Sequence, residues 1–418
     1  MKIVIIGGGF AGINLAKKLS NETGFEITLV DKNNYHFFSP LIYQVATCFL
    51  EASSISYPFR MFLRKTKNFH FRLGTLVKVF PNQYKVLLTS GELEYDCLIF
   101  ACGTVTNFFD MKNVQANAIP MKTLDDALDM RNKLLQRIEQ ASITTDRAEK
   151  TKLLTIVVAG GGPTGVEISG MFAEMKNSII QKDYPELEDI NAEIYLVDGG
   201  KALLSPMSPK SQQDTYKALT KMGVKVKLNC HVTDYQNDWV MFSDGESIAS
   251  SNLIWAAGVT GQKIEGIPQE AYGRGNRLWV DAYNQLIGSP DIYAIGDACL
   301  QTSDYSFPNG HPQVAQVAIQ QGKNLGHNFI NLIEQKSLIP FTYIDKGSMA
   351  MIGKSKAVVD LSRPRLHLKG FIAWIIWLVI HLFSLTHRRN RAKTLFNWAI
   401  AFFTKDQSLR MIIRPKND

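Results

Sequence analysis

The sequence lacks any apolar run long enough to cross a bilayer. Spanning takes about 20 consecutive apolar residues, and the most apolar stretch, FIAWIIWLVIHLF at residues 371–383, is shorter and carries His381 near its far end. Cysteine is scarce as well: Cys48, Cys97, Cys102, Cys230 and Cys299 show no C-x-x-C and no metal-ligand spacing. An odd count fits a reducing cytoplasm better than a disulfide framework, and no metal site is expected. Cys97 and Cys102 lie in YDCLIFACG, which reads as a buried strand. Five strand steps set their Cα atoms roughly 16 Å apart, beyond the disulfide limit of about 7 Å. Acidic residues are nearly missing from the C-terminal end, where residues 361–418 hold eleven Lys or Arg against two Asp or Glu. The excess behind the net charge of +8 therefore sits beside the apolar stretch.

What is present is ordinary globular material, with 45% hydrophobic and 20% charged residues, enough for two or three domains. Only the last few residues are expected to be disordered. Arg363, Arg365 and Lys369 precede the apolar stretch and Arg388, Arg389, Arg391 and Lys393 follow it. Cations bracketing an apolar helix predict docking on a lipid bilayer surface with anionic headgroups. The interleaved Trp, Ile, Leu and Phe argue against a nucleic-acid patch. Trp374, Trp377, Ile380 and Phe383 are expected on the lipid-facing side, with a second amphipathic stretch around LFNWAIAFFT. The N-terminal MKIVIIGGGFAGINLA has the lysine and apolar run of a secretion signal, but its glycine cluster points elsewhere.

That cluster belongs to a repeat. KIVIIGGGFAGINLA (2–16) recurs in outline as LTIVVAGGGPTGVEISG (154–170), ITLVDKN (27–33) as IYLVDGG (194–200), and CLIFACGT (97–104) as LIWAAGVT (253–260). Three matched pairs in one order indicate two copies of one architecture. Each copy runs from a β-branched strand through G-x-G-x-x-G into a helix, with Gly7, Gly9 and Gly12 in the first and Gly160, Gly162 and Gly165 in the second. The first glycine makes the tight turn, the second admits a pyrophosphate and the third lets helix and strand pack closely.

Each copy also ends its next strand in an acid, Asp31 or Asp198, placed to accept hydrogen bonds from an adenosine ribose. A carboxylate there repels a 2′-phosphate, which favours NADH over NADPH. SPDIYAIGDAC (289–299) is a further short strand, ending in Gly-Asp, with no equivalent after the second copy. Asp297 can hold the polyol of a flavin, so the first copy is expected to take FAD and the second NADH.

These residues resemble the two-dinucleotide-binding flavoproteins, and most closely type II NADH dehydrogenase. NYHFFSPLIYQVAT (34–47), HPQVAQVAIQQGKNLGHN (311–328), FTYIDKGSMAMIGKSKAVVDL (341–361) and GFIAWIIWLVIHLFSLTHRRNR (370–391) all look like motifs of that family. The resemblance implies a non-electrogenic NADH:quinone oxidoreductase containing FAD, feeding a respiratory chain without pumping protons, and peripheral on the cytoplasmic face of a bacterial cell membrane. Menaquinone and ubiquinone both stay open as the membrane quinone, and so does a homodimer. The related sulfide:quinone oxidoreductases require a cysteine pair near the flavin, and Cys48 stands alone in the early region.

Carried over to this sequence, the family pattern places the Val77 backbone at the FAD adenine, Asp297 at the ribityl chain, and Val314 and Ala315 at the flavin ring. His311-Pro312 is expected to begin the helix that follows. Gln316, Gln320 and Gln321 are assigned to the quinone carbonyls. Glu167, expected in the first turn of the second copy's helix, is assigned to proton relay beside the nicotinamide and flavin, with helix capping as the bland alternative. The expected fold is α/β. It has an FAD-binding domain (1–115 and 281–345), an NADH-binding domain (116–280) and a C-terminal membrane-docking region (346–418). A soluble flavin reductase passing electrons to a protein partner such as ferredoxin is the rival function.

Overall fold

The computed structural model describes residues 1–62, 64–176, 181–404 and 409–413. Residues 414–418, where disorder is expected, lie outside that set. In chain order the first sheet begins with β1 (Lys2–Ile6), α1 (Phe10–Leu19), β2 (Glu26–Asp31), β3 (Phe69–Leu73) and β4 (Cys97–Phe100). The second comprises β5 (Ile156–Ala159), α2 (Pro163–Met175), β6 (Ile194–Asp198), α3 (Pro209–Lys221), β7 (Val224–Leu228) and β8 (Asn252–Trp255). The chain then returns through β9 (Ile292–Ala294) and α4 (Ala315–Ile333) and ends in β10 (Ser348–Gly353), β11 (Lys356–Ser362), β12 (Arg365–Lys369), α5 (Gly370–Ser384) and α6 (Arg388–Thr404).

The two large sheets are built alike. The first has the order β9-β4-β1-β2-β3 and the second places Ile119–Pro120 at its edge, followed by β8-β5-β6-β7. Both are parallel throughout. Parallel sheets need both faces covered, and the continuous apolar runs KIVII and IVVA supply that. In the first, Ile3 and Ile5 face a core with Ile13, Leu15 and Phe329, while Val4 and Ile6 face another with Val79, Val86 and Leu278.

The chain divides into two compact units, residues 1–37, 56–105 and 259–345 in one, and 38–55, 106–258 and 346–418 in the other. These differ from the expected boundaries. Residues 259–280 stay with the first sheet because Val79 N–H donates to Glu265 O at 2.8 Å. Gly266, at φ +92°, also lies so close to the Val79 carbonyl that a Cβ would stand 1.9 Å away. Residues 346–418 join the second unit because β10 lies directly on α2. A Cβ on Gly170 would meet Ile352 O at 2.0 Å, so this approach requires glycine. The Lys354 N–H also donates to Glu174 of α2.

Candidate nucleotide sites and the C-terminal platform

The two glycine turns are copies down to their backbone hydrogen bonds. Gly7 N–H donates to Val30 O and Gly160 N–H to Val197 O, each at 2.8 Å. Gly7 (φ +107°) and Gly160 (φ +110°) adopt a conformation that L side chains rarely take, and a Cβ would strike the Ala101 or Ala256 carbonyl at 2.4 or 2.5 Å. Gly12 and Gly165 are likewise demanded by the protein itself, since their Cβ atoms would lie 2.0 and 1.8 Å from the carbonyls of Gly7 and Gly160. The middle members differ. A Cβ on Gly9 would meet nothing nearer than 4.0 Å, and one on Gly162 nothing within 4 Å. Among the described residues no protein group needs glycine at these two positions, so the open space fits a group from outside the chain. Gly9 and Gly162 are the N-caps of α1 and α2, with no capping side chain and no acid in either first turn. Each leaves N–H donors for an anion, as a dinucleotide pyrophosphate requires.

Asp31 and Asp198 sit at the strand ends as expected, and both already hold the turn. Asp31 accepts N–H bonds from Gly8 at 2.7 Å and Asn33 at 2.8 Å. Asp198 accepts from Gly161 at 2.6 Å and Gly200 at 2.7 Å. A carboxylate has about four acceptor positions, so two stay free for ribose hydroxyls. Burial pushes Asp31 above the usual carboxylate range, against the N–H bonds from Asn33 and Gly8.

In the first unit, Asp297 lies in a 3₁₀ turn, Gly296–Ala298, just after β9. Val77 stands where the pairing of Leu76–Phe80 with Lys85–Leu88 shifts register, so no residue faces it across the ladder. Helix α4 begins at Ala315, with Val314 as an N-cap lacking any side-chain bond, and not at His311-Pro312. His311 is buried and fixed outside the helix: its Nε2 lies 3.0 Å from Asp304 Oδ2, and its carbonyl accepts from Arg277.

The three glutamines separate. Gln321 is fully buried and its Oε1 accepts the Gly296 N–H at 2.7 Å, so it braces the Gly-Asp turn, while among the described residues its Nε2 finds no hydrogen-bond partner. Both amide atoms of Gln320 pair with the Ile344 backbone, at 2.9 and 3.0 Å. Gln316 touches the Tyr343 hydroxyl at 3.5 Å. Adjacent helix positions point about 100° apart, which is why Gln320 and Gln321 cannot share a role.

In the second unit, Pro163 opens α2, which puts Glu167 in the second turn and not the first. Its carboxyl accepts the Met351 N–H of β10 at 3.2 Å and does not cap its own helix. Burial drives Glu167 up to about 8, opposed by the Met351 N–H and by the nearby Trp377 indole N–H. Among the described residues that indole has no partner at hydrogen-bonding distance. Tyr43, also buried, reaches the Met351 sulfur at 3.7 Å, and Gln44 joins it to Trp398. Burial and the Glu167 charge raise the Tyr43 hydroxyl well above its ordinary range. Sequence reasoning missed Tyr43, Gln44, Met351 and Trp398 because they lie far from Glu167 in the chain.

Helices α5 and α6 both expose large apolar side chains, α6 beyond a first turn that exposes Arg388 and Arg389. Trp377 is fully buried, with Ala373 beside it, so Trp377 turns inward, contrary to the expectation, and stacks on His381 at 3.9 Å. The exposed large apolar residues of α5 are Phe371, Ile372, Ile375, Val379, Ile380 and Phe383. On α6, Leu395 and Phe396 are exposed while Asn390 and Thr394 are buried, Asn390 bonding the Ser53 and Ser54 carbonyls. The side chains of its last two residues lie outside the described ones. Among the described residues no helix is long and apolar enough to cross a membrane, and no group of His, Cys, Asp and Glu could hold a metal. All five cysteines are free, and burial pushes the Cys48 thiol up to about 11.

Two dinucleotide turns on two parallel sheets define a pyridine-nucleotide flavoprotein. The chain matches the pyridine nucleotide-disulphide oxidoreductase family over residues 1–322 and the NDH2 C-terminal domain over residues 346–405. It is 35% identical to the type II NADH:quinone oxidoreductase NdhA of Mycobacterium tuberculosis, covering 96% of this chain and 87% of the relative. To Ndh of the same organism it is 33% identical, covering 96% and 88%. The NDH2 structure of Plasmodium falciparum in complex with NADH has the same fold, with a TM-score of 0.90, 24% identity and 99% of both chains covered. The chain belongs to the type II NADH:quinone oxidoreductases.

Proposed function

We propose that the first unit holds FAD and the second holds NADH in a non-proton-pumping NADH:quinone oxidoreductase docked on the cytoplasmic face of a bacterial cell membrane. The observation that carries two nucleotide sites is the pair of open positions at Gly9 and Gly162. Each sheet has an edge strand, Ile292–Ala294 in the first and Ile119–Pro120 in the second, and among the described residues the one in the first is followed by the Gly296-Asp297 turn, where Asp297 is suited to a ribityl chain. In this reading the first-turn N–H groups of α1 and α2 hold the two pyrophosphates, Asp31 and Asp198 the riboses, and the Val77 backbone the adenine. The N-terminus of α4, at Val314 and Ala315, favours negative charge near the flavin ring. FAD, when bound, accepts a hydride and passes on two electrons. Glu167, with its carboxyl raised to about 8, holds a proton near neutral pH and can give it up during quinone reduction.

Docking is supported by the inverted amphipathicity of α5 and α6. A helix facing water would not leave Phe371, Ile372 and Phe396 exposed while burying Asn390 and Thr394. Lipid-soluble quinones are met at such a surface. Absorbance titration tests the two nucleotide assignments: Gly9→Val should purify without flavin, while Gly162→Val should keep FAD and lose its reduction by NADH. Retention of FAD by Gly9→Val would reject the assignment.

A further inference from the structure

His36 lies in the NYHFF run, on the short strand Tyr35–Phe37, and the proposed function leaves it unused. It is only 4% exposed, and its Nδ1 stands 2.9 Å from the Gly8 carbonyl oxygen. A carbonyl oxygen only accepts, so this nitrogen carries the hydrogen and donates it. Burial, with Lys17 adding repulsion and the Gly8 bond opposing, takes the ring down to about 4, so it is neutral near pH 7. Phe10 meets the ring edge-on at 5.4 Å, and His36 pairs with Tyr57 across Ser56–Pro58.

The Gly8 carbonyl shares a peptide plane with the Gly9 N–H. In a trans peptide the two bonds point in opposite directions, so holding the carbonyl against His36 aims the Gly9 N–H away from it. Gly8 is fixed from its other sides as well. Its N–H donates to Asp31 at 2.7 Å, and its Cα lies so close to the Phe59 ring that a Cβ would stand 2.1 Å away. The second turn provides an internal comparison. There Gly161 N–H donates to Asp198, and the Gly161 carbonyl accepts the Leu204 backbone N–H at 2.8 Å. A carbonyl clamped in both copies, by an imidazole in one and a backbone amide in the other, marks a requirement of the turn.

We propose that His36 is a positioning residue of the FAD turn, its Nδ1–H holding the Gly8 carbonyl so that the Gly9 amide is aimed at the FAD pyrophosphate before the cofactor arrives. This rests on the assignment of FAD to the first turn. Without the clamp the Gly8–Gly9 peptide can rotate, and binding must order it.

The test measures FAD Kd and the ³¹P resonances of bound FAD in His36→Leu, His36→Asn and Gly9→Val, with circular dichroism to confirm folding. Asn can offer an amide N–H near the Nδ1 position. His36→Leu should raise Kd about tenfold or more and shift the ³¹P resonances, while His36→Asn should stay within about threefold of wild type. Wild-type Kd and unchanged ³¹P resonances in His36→Leu would overturn the role, as would a folded His36→Asn that binds no better than His36→Leu. If Gly9→Val also keeps FAD, the assignment of the turn has failed; if it alone loses FAD, only the role of His36 has. Should His36→Leu not fold, the wild-type imidazole ¹⁵N spectrum decides, an Nε2–H tautomer overturning the proposal and an Nδ1–H tautomer supporting it.

Discussion

Glu167 is a carboxyl held at about 8 by burial, against an ordinary value of 4.5. Between those values the folded chain keeps a proton that the unfolded chain has released. The stability tied to this group is therefore fully present below 4.5 and is lost as pH rises through about 8. Glu167→Gln removes that dependence, so its melting temperature should fall less than that of wild type between about pH 5 and pH 9. Parallel melting curves would show that the carboxyl is not buried in this way. The same variant should keep FAD and its reduction by NADH in stopped flow, while quinone turnover drops about tenfold or more. Unchanged turnover would leave Glu167 a structural role only. Asp198 carries a separate expectation: Asp198→Asn should narrow the preference for NADH over NADPH by at least about tenfold in kcat/KM, the step that one lost charge repulsion of about 1.4 kcal/mol makes. Equal kcat/KM for the two cofactors in the wild type would remove that assignment. The glycines and strand-end acids were legible because their spacing is local. The environment of Glu167 was not, since Met351 and Trp377 reach it from elements about two hundred residues away, and the bond of Gln321 to the Gly296 N–H joins elements that no sequence spacing links.

For α5 and α6 the apolar composition announced helices, but composition does not set their phase. Ala373 and Trp377, four apart, point inward, and Trp377 brings its indole beside Glu167. Deleting everything from Gly370 onward would therefore disturb Glu167 along with the proposed membrane docking. Substituting only outward residues separates the two effects. Phe371, Ile372 and Phe383 replaced together by Asn should leave FAD content and the reduction of a soluble acceptor by NADH intact. Each buried side chain of this kind is worth roughly 1.5 to 3 kcal/mol, so the triple variant should bind liposomes at least about a hundredfold more weakly. Flotation on a sucrose gradient measures this. Wild-type flotation by the triple variant would mean that another surface meets the lipid.

Across the whole molecule, the duplication was legible because a parallel sheet buried on both faces must be written in continuous apolar runs, and the same three runs occur twice in order. Unit boundaries were less so: 259–280 and 346–418 are placed by backbone approaches at Gly266 and Gly170 that no periodicity records. Charge is likewise a property of the whole chain, with the excess confined in sequence to residues 361–418, the segment that also carries α5 and α6 with their exposed apolar residues. Attraction between these cations and anionic headgroups is screened beyond about 8 Å at physiological ionic strength, whereas burial of apolar side chains is not screened. The two contributions should therefore separate with salt. Adding an anionic lipid to zwitterionic vesicles should strengthen binding at low ionic strength, and most of that gain should vanish in about 0.5 M salt as the screening length shortens. A residual binding, equal on both vesicle types and released by detergent, should persist because several apolar side chains remain buried. Complete release by salt alone would make the surface electrostatic and would remove α5 as an apolar anchor, while binding indifferent to lipid charge at every ionic strength would leave the basic residues without a part in docking.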